Sequence, residues 1–253
     1  MTAPPSHPPA IEFDHASFRL NGHPLLQDLV LSVKQGETLV LLGRSGSGKT
    51  TALKLINRLL LPTAGEVRVN GLRTVEWNPI QLRRSIGYVI QDGGLFPHFT
   101  VERNIALVPR IENWPRPRVE ARVRELLATV GLSEDLASRY PSQLSGGQRQ
   151  RVGVARALAA DPPILILDEA FGALDAITRS EMQKEFRALQ QRMQKAVVFV
   201  THDLREALLL ADRIALMEEG RLVVDLPVAE FSRSRDPLVR AYMEAFSGLP
   251  DPE

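Results

Sequence analysis

The sequence lacks cysteine altogether, and this absence excludes disulfide bonds and thiol chemistry. It also lacks an excess of either charge, because 31 Lys and Arg side chains are set against 30 Asp and Glu, a net charge of +1. Proteins that bind nucleic acids usually carry an excess of Lys and Arg, so we expect no nucleic-acid partner here. No apolar run approaches the roughly 20 residues of a membrane-spanning helix. The N-terminal MTAPPSHPPA has neither a basic start nor an apolar core, so we do not expect it to act as a secretion signal. Any membrane in the function of the chain must therefore be supplied by a partner.

The chain has the length and apolar content, 253 residues with 44% hydrophobic, to bury a sizeable core. We predict three stretches: a flexible proline-rich lead at 1–10, a single domain at 11–245 and a tail at 246–253. Turns at Asn21-Gly22, Gln35-Gly36 and Asn70-Gly71 separate short strand patterns near the start of the domain, which predicts a small antiparallel sheet.

The pattern changes to helices at about 92–160, where one helix carries Val119, Val123, Leu126, Leu127 and Val130 on one face. This stretch is predicted to be a helical subdomain inserted within the core. From residue 164 onward strand and helix patterns alternate, which is typical of a parallel sheet flanked by helices.

Residues 43–50, GRSGSGKT, fit the pattern G-x-x-x-x-G-K-[ST] and follow an apolar run at 37–42 that indicates a buried strand. Gly43, Gly46 and Gly48 allow the backbone N–H groups to turn inward, and a helix beginning near Gly48 adds the positive end of its dipole. The segment therefore predicts a phosphate-binding loop. The fold class that follows is α/β: a P-loop NTPase with a RecA-like parallel-sheet core, the N-terminal antiparallel β subdomain and the inserted helical subdomain.

Four side chains complete the predicted nucleotide chemistry. Lys49 would reach the β- and γ-phosphates of ATP, and the hydroxyl of Thr50 would ligate the Mg²⁺ that bridges them. Asp168 ends a second apolar run, where a carboxylate faces the ligand crevice of a parallel sheet and can hold the metal through water. Glu169 is then available as a base near the attacking water.

A second glycine-rich segment, LSGGQ at 144–148, precedes a helical pattern, and Ser145 is predicted to cap that helix. Together with the following RQRVGVARAL, it resembles the signature sequence of the ATP-binding cassette family, whose motif order matches this chain from about residue 11 to 224. The resemblance implies a homodimer in which two cassettes pack head to tail, each ATP lying between the phosphate loop of one and the signature of the other.

The resemblance also assigns roles. It makes Glu169 the catalytic carboxylate, His202 the switch histidine and Gln91 the residue that senses the γ-phosphate and Mg²⁺, and it places Asp175 in the loop that crosses the dimer. By the same resemblance, Mg²⁺ would be held by Thr50, Gln91 and Asp168. The residues expected to bind ATP are Leu20, Gly43, Arg44, Ser45, Gly46, Ser47, Gly48, Lys49, Thr50, Thr51, Ser145, Gly146, Gly147, Gln148 and Asp175.

Three positions depart from the family pattern. Leu20 stands where an aromatic residue usually stacks on adenine, so we expect weak discrimination between ATP and GTP. Phe18, two residues earlier and so on the same strand face, could partly substitute. Arg44 and Ala170 stand where proline is common, but neither change removes a ligand group.

The loop after Gln91 contains Leu95, Phe96, Pro97, His98 and Phe99, an apolar set that is unusual for a solvated surface. The resemblance implies that it receives a transmembrane permease subunit; the alternative is that these side chains only anchor the subdomain. Segments 53–71 and 82–106 resemble the cassettes of importers of quaternary amines, such as glycine betaine, choline, carnitine and related osmoprotectants. Such importers add an extracytoplasmic substrate-binding protein and place the chain peripherally on the cytoplasmic face of the membrane.

Other functions share the same ATPase site. An importer of methionine, nitrate or sulfonate type is the close alternative, and a soluble ATPase outside transport is a more distant one. Many quaternary-amine relatives continue into a regulatory module after the cassette, and the end at Glu253 leads us to expect osmotic gating to lie elsewhere or be absent.

Overall fold

The computed structural model describes residues 8–247, so most of the predicted lead and tail lies outside the described residues. The strands are β1 (Ile11–Leu20), β2 (His23–Val33), β3 (Thr38–Leu42), β4 (Ala64–Val69), β5 (Leu72–Arg73), β6 (Ile86–Val89), β7 (Ile164–Asp168), β8 (Ala196–Thr201), β9 (Arg213–Glu218) and β10 (Arg221–Pro227). The helices are α1 (Lys49–Ile56), α2 (Pro79–Arg84), α3 (Val101–Ile105), α4 (Leu107–Ile111), α5 (Arg116–Thr129), α6 (Gly146–Leu158), α7 (Ala176–Met193), α8 (Leu204–Leu210), α9 (Val228–Phe231) and α10 (Pro237–Ser247). Within residues 8–247, none of the helices combines the length and the apolar character that a membrane crossing requires.

The described chain forms two compact units, the first made of residues 8–79 and 194–247 and the second of residues 80–193. The first unit contains a four-stranded antiparallel sheet in the order β2-β1-β4-β5. Its strands are joined by tight turns in which Asn21, Gly22, Asn70 and Gly71 all have positive φ, the conformation that Asn and Gly tolerate best. The predicted antiparallel subdomain is confirmed.

The first unit also contains the strand that leads into the phosphate loop. All five residues of β3 are buried, and β3 pairs in parallel with β8 on one side and β9 on the other. All six residues of β8 are buried as well, so neither strand alternates apolar with polar residues, as expected for parallel strands covered on both faces. The hairpin partner β10 adds an antiparallel edge to β9.

The second unit pairs β6 with β7 in parallel and surrounds them with helices. On α5 the predicted apolar face is buried, from Val119 to Leu127, because these side chains recur at helical spacing. The backbone of residues 92–160 is described throughout and contains helices but no strand. That this stretch is a separate subdomain stays a prediction, because the unit that contains it also includes β6 and β7.

Candidate functional site

The predicted phosphate loop connects the buried end of β3 to the first residue of α1. Gly46 and Gly48 have φ values of 82° and 98°, the left-handed region that side chains disfavour, and Gly48 is the N-cap of α1. A Cβ atom on Gly43 would lie 2.3 Å from the carbonyl oxygen of Met217 on β9. The loop therefore needs glycine at all three positions, twice for conformation and once for space.

Lys49 is only 4% exposed, and its ammonium lies inside the loop. The Nζ atom donates to the carbonyl oxygens of Gly43 and Arg44, each at 2.7 Å, and to Oγ of Ser47 at 3.3 Å. A buried cation at the N-terminus of a helix is an anion-binding arrangement, since charge and dipole act in the same direction. Around it, Arg44, Ser45 and Gly46 are exposed, whereas Thr50 and Thr51 are half-buried on the first turn of α1.

The two candidate base-stacking residues differ in exposure. Leu20, the last residue of β1, is 53% exposed, whereas Phe18 is only 8% exposed and belongs to the core of the first unit. The prediction that Phe18 could stand in for Leu20 is wrong. The pairing of β1 with β2 shifts register between Phe18 and Arg19, so simple alternation does not carry across this point.

In the second unit, Asp168 is the last residue of β7, as predicted, and its side chain is half-buried. The hydroxyl of Tyr88, on the neighbouring strand β6, donates to Oδ2 of Asp168 at 3.4 Å. Burial, and after it the negative charge of Asp168, raises the pKa of Tyr88 to about 12. Tyr88 therefore stays protonated and orients the carboxylate. No sequence pattern indicated this pair, because local sequence does not specify the register of β6 against β7.

Glu169, the predicted base, has φ 46°, in the left-handed region. A non-glycine residue held there costs on the order of 1–3 kcal/mol, and such strain concentrates at functional sites. The turn is closed by a hydrogen bond from the backbone N–H of Gly172 to the carbonyl oxygen of Glu169 at 3.1 Å. Asp168 therefore ends strand β7, whereas Glu169 already belongs to the turn that follows it. Both side chains are half-buried.

The fit of Mg²⁺ can be judged from the donor chemistry. Among residues 8–247 there is no cluster of three or more His, Cys, Asp or Glu side chains that could hold a metal ion unaided. Mg²⁺ beside a nucleotide does not need such a cage, because it takes one or two protein oxygens and fills the rest of its octahedron with phosphate and water. The carboxylate of Asp168 in the second unit and the hydroxyl of Thr50 in the first are each an oxygen donor of this kind, so the chemistry of each residue suits the ion.

The predicted signature residues begin helix α6. The Oγ atom of Ser145 accepts from the backbone N–H of Gln148 at 3.2 Å, and the side chain of Gln148 accepts from the backbone N–H of Ser145 at 2.9 Å. This reciprocal pair is a capping box, and the predicted N-cap is confirmed. A Cβ atom on Gly147 would lie 2.6 Å from Cγ2 of Thr178, so glycine is required where α7 packs on this helix start.

Asp175 immediately precedes α7, and its Oδ1 accepts from the backbone N–H of Thr178 at 3.0 Å. This hydrogen bond lowers the pKa of Asp175, so the carboxylate is ionised as a helix cap. Its role in crossing a dimer stays a prediction. The structural reading of Asp175 as an N-cap is confirmed.

His202 is exposed and follows the last residue of β8 directly, in the first unit. Its neighbour Thr201 is 2% exposed and donates from Oγ1 to the carboxylate of Glu206 at 2.5 Å, while the backbone N–H of Asp203 donates to the same Oγ1 at 3.0 Å. The main chain is thus fixed on both sides of the imidazole. The hydrogen bonds of Thr201 with Glu206 and Asp203 were not predicted, because Thr and Glu are common near the start of any helix and do not by themselves indicate a contact.

Gln91, in the second unit, is exposed and opens a 3-10 helix over Gln91–Gly94. The guanidinium of Arg156 on α6 donates to the carbonyl oxygens of Gly93 and Gly94 at 2.9 and 2.8 Å. Gly153 lies against the same turn, since its Cβ would approach Cα of Gly93 to 3.1 Å. The signature helix and the segment after Gln91 are therefore in direct contact.

The loop that follows exposes apolar rings. Phe96 is 41% exposed and His98 is exposed, whereas Leu95 and Phe99 are half-buried. The Phe96 and Phe99 rings are 5.4 Å apart, and the buried amide of Asn104 bonds the backbone of both residues. The alternative in which this loop only anchors its own core does not account for the exposed Phe96.

Comparison with known proteins places these features in a family. Residues 26–172 match the family model described as ABC transporter. The choline transport ATP-binding protein OpuBA of Bacillus subtilis (strain 168) is 49% identical over 202 residues, which are 80% of this chain and 53% of that protein. The glycine betaine uptake system ATP-binding protein YehX of Escherichia coli (strain K12) is 46% identical over 233 residues, 92% of this chain and 76% of that protein. The chain spans about half the length of the first of these relatives.

Solved structures agree on the fold. A dimeric post-hydrolysis structure of the ATP-binding cassette MJ0796, bound to ADP and Pi, superposes with a TM-score of 0.77 at 32% identity. It covers 86% of this chain and 98% of the MJ0796 chain. The predicted α/β P-loop fold is confirmed.

Proposed function

Because the chain belongs to the ABC transporter family, we propose that it binds and hydrolyses ATP to energise a membrane importer, and that the cargo is an osmoprotectant or other quaternary amine. The observation that carries the ATPase proposal is the phosphate loop, in which the buried Lys49 ammonium lies among backbone oxygens at the start of α1. The cargo proposal is supported by the choline and glycine betaine named for OpuBA and YehX. We further propose that residues 11–245 act as one nucleotide-binding domain with a helical subdomain at about 92–160.

The residues have distinct roles in this proposal. Lys49 and the loop N–H groups bind the phosphates, and Thr50 and Asp168, assisted by Gln91, hold Mg²⁺, which when bound neutralises phosphate charge. Glu169 accepts a proton from the attacking water, and its left-handed backbone sets the direction of the carboxylate. His202 donates a hydrogen bond to the γ-phosphate from a main chain that Thr201 and Asp203 fix.

Two copies of the chain are proposed to form a head-to-tail dimer. The capped start of α6 presents Ser145, Gly146 and Gln148 at the surface, and a helix N-terminus of this kind is a second anion site on a chain that already has one. A single nucleotide uses one of them, so the second would serve the ATP of the partner copy. The dimeric state of the MJ0796 cassette supports this arrangement.

The exposed Leu20 predicts poor selection among purine nucleotides. Leucine can cover a purine face, but it offers neither π-stacking nor a base-specific hydrogen bond. We expect kcat/KM for GTP to be within about threefold of that for ATP, a difference below about 1 kcal/mol. Phosphate release by the purified chain with each nucleotide measures this, and a preference for ATP above tenfold would contradict it. Leu20→Tyr is expected to shift selection toward ATP.

A groove in the second unit is the proposed docking site of the permease subunit. It is a cavity of about 340 Å³ whose apolar lining includes Ile90, Phe96, Leu107 and Val108 and whose basic lining includes Arg83, Arg84 and Arg156. An apolar helix carrying an acidic residue would match this lining. Because Arg156 bonds the turn that follows Gln91, a partner in the groove would act on the segment that senses the γ-phosphate.

The importer proposal predicts stimulation of hydrolysis by cargo. Co-expressed with its membrane subunit and extracytoplasmic binding protein and reconstituted in vesicles, the chain would lie peripherally on the cytoplasmic face. We expect ATP hydrolysis to rise at least about threefold on addition of choline, glycine betaine or carnitine, because closure of the cassettes is coupled to transport. Stimulation by methionine, nitrate or a sulfonate instead would support the alternative importer, and hydrolysis that is indifferent to membrane subunits would support a soluble ATPase.

Phe96→Asp provides the matched test of the groove in the same assembly. It places a charge in the apolar lining, so we expect it to abolish both co-purification with the membrane subunit and stimulation by cargo. Val30→Asp is the control, since Val30 is 51% exposed on β2, in the other unit. Equal effects of the two variants would show that the groove is not the docking site.

A further inference from the structure

The loop at 169–175 is held by one side chain of helix α7 to which the proposed chemistry gives no role. Arg179 is half-buried near the start of α7. Its Nε atom donates to the carbonyl oxygen of Phe171 at 3.1 Å, and its Nη2 atom donates to the carbonyl oxygens of Gly172 at 3.2 Å and Leu174 at 2.7 Å. Because a guanidinium is planar and its donors are fixed relative to one another, the three bonds together define the path of the loop.

One peptide group of this loop connects Arg179 to Glu169. The group consists of the carbonyl of Phe171 and the N–H of Gly172. Its carbonyl oxygen accepts from Nε of Arg179 at 3.1 Å, and its N–H donates to the carbonyl oxygen of Glu169 at 3.1 Å. Hydrogen bonds in series polarise one another, so each strengthens the other. The turn that contains the left-handed backbone of Glu169 is therefore closed by a peptide group that Arg179 fixes at its other end.

Packing anchors the same loop on α7. The side chain of Phe171 is fully buried, and its ring lies edge to face against the ring of Phe186 on α7, with 5.9 Å between the centroids. Leu174 is buried as well. Loss of the guanidinium would thus leave the apolar side chains of the loop packed, while its peptide groups could reorient.

We propose that Arg179 is a positioning residue for Glu169: it fixes the peptide group that closes the Glu169 turn, and so sets the direction in which the carboxylate meets the attacking water. A non-glycine residue in the left-handed region persists only where surrounding contacts hold it, and the bonds of Arg179 are contacts of this kind. The inference rests on the proposed ATPase function, because it concerns the same base. Arg179 acts through the backbone and not on the nucleotide.

Arg179→Ala in the full chain is the first test. We expect kcat for ATP hydrolysis to fall about tenfold to 100-fold, since a small displacement of a catalytic group has effects of this size. The dissociation constant for ATP-Mg should change less than twofold, because the carbonyls that Arg179 holds belong to the loop at 169–175 and not to the phosphate loop. Arg179→Lys keeps the charge but replaces the planar fork by one ammonium, so its kcat should lie between those of wild type and Arg179→Ala.

A double-mutant cycle with Glu169→Gln separates positioning of the base from a general structural role. Because Arg179 acts through the carboxylate, adding Arg179→Ala to Glu169→Gln should lower the residual rate of hydrolysis less than twofold. Single-turnover hydrolysis of radiolabelled ATP measures this residual rate. A role that is independent of Glu169 would instead lower the rate by the same factor in both backgrounds.

Arg192→Ala is the matched control, because Arg192 is exposed on α7 and its guanidinium donates to the carbonyl oxygen of Ala188 in the same helix at 3.3 Å. It should leave kcat unchanged, and equal melting temperatures of the variants would confirm that the fold is intact. If Arg179→Ala does not fold, the same criteria apply to Arg179→Lys.

Two results would overturn the inference: a kcat of Arg179→Ala within twofold of wild type, or an equal loss with and without the Glu169 carboxylate. A wild-type chain that does not hydrolyse ATP would refute the proposed function itself. An active wild-type chain with an indifferent Arg179→Ala variant would refute only the positioning role.

Discussion

Glu169→Gln is expected to retain ATP binding, to lose at least about 100-fold in kcat and to accumulate as a dimer in ATP-Mg. The glutamine side chain is the same size as the carboxylate and suits the half-buried position, but it cannot accept the proton of the attacking water. The left-handed backbone at φ 46° is unaffected by the change, so the loss measures chemistry rather than folding. Without hydrolysis, two ATP molecules would remain at the interface and hold the copies together.

The measurement is phosphate release together with molecular mass by light scattering after size exclusion, with and without ATP-Mg. Glu181→Gln, at an exposed position on α7, is the matched control and should behave as wild type. Normal hydrolysis by Glu169→Gln would show that the assignment of the base is wrong. Lost hydrolysis without a mass shift would support the base but contradict closure of two copies unaided by membrane subunits.

Lys49→Ala is expected to lose both nucleotide binding and turnover. Its ammonium is the buried charge of the phosphate loop, and removing it leaves two carbonyl oxygens and Oγ of Ser47 without their donor. We expect the dissociation constant for ATP-Mg to rise at least about tenfold and kcat to fall about 100-fold to 1,000-fold, the range seen when one hydrogen-bond donor to a transition-state oxyanion is removed. The contrast with Glu169→Gln, which keeps affinity, separates binding from chemistry.

Isothermal titration with ATP-Mg and a phosphate-release assay would measure both quantities. Lys54→Ala, an exposed position on the same helix α1, controls for the loss of a positive charge and for helix stability. Lys49→Arg tests geometry, since the longer planar group cannot occupy the same 2.7 Å contacts. Retention of full affinity in Lys49→Ala would remove the observation that carries the proposed ATPase function.

The sequence by itself determined the features that depend on local backbone requirements. The glycines of the loop at 43–50, the Ser145 cap and the acidic end of β7 were all predicted, because each is a short segment whose conformation or solvation permits few residue types. The buried strand β3 was predicted for the same reason, as a short apolar run that leads into a glycine-rich turn.

Only the tertiary structure decided the contacts between segments that are distant in the chain. The donation of Tyr88 to Asp168 and the contact of Arg156 with Gly93 and Gly94 depend on strand register and helix placement, which no local pattern specifies. The wrong prediction for Phe18 has the same origin. Simple alternation puts Phe18 and Leu20 on one face of β1, but the pairing with β2 shifts register between them, and Phe18 is buried while Leu20 is exposed. The chemistry of the candidate site follows from local sequence, and the partners that orient its side chains follow from packing.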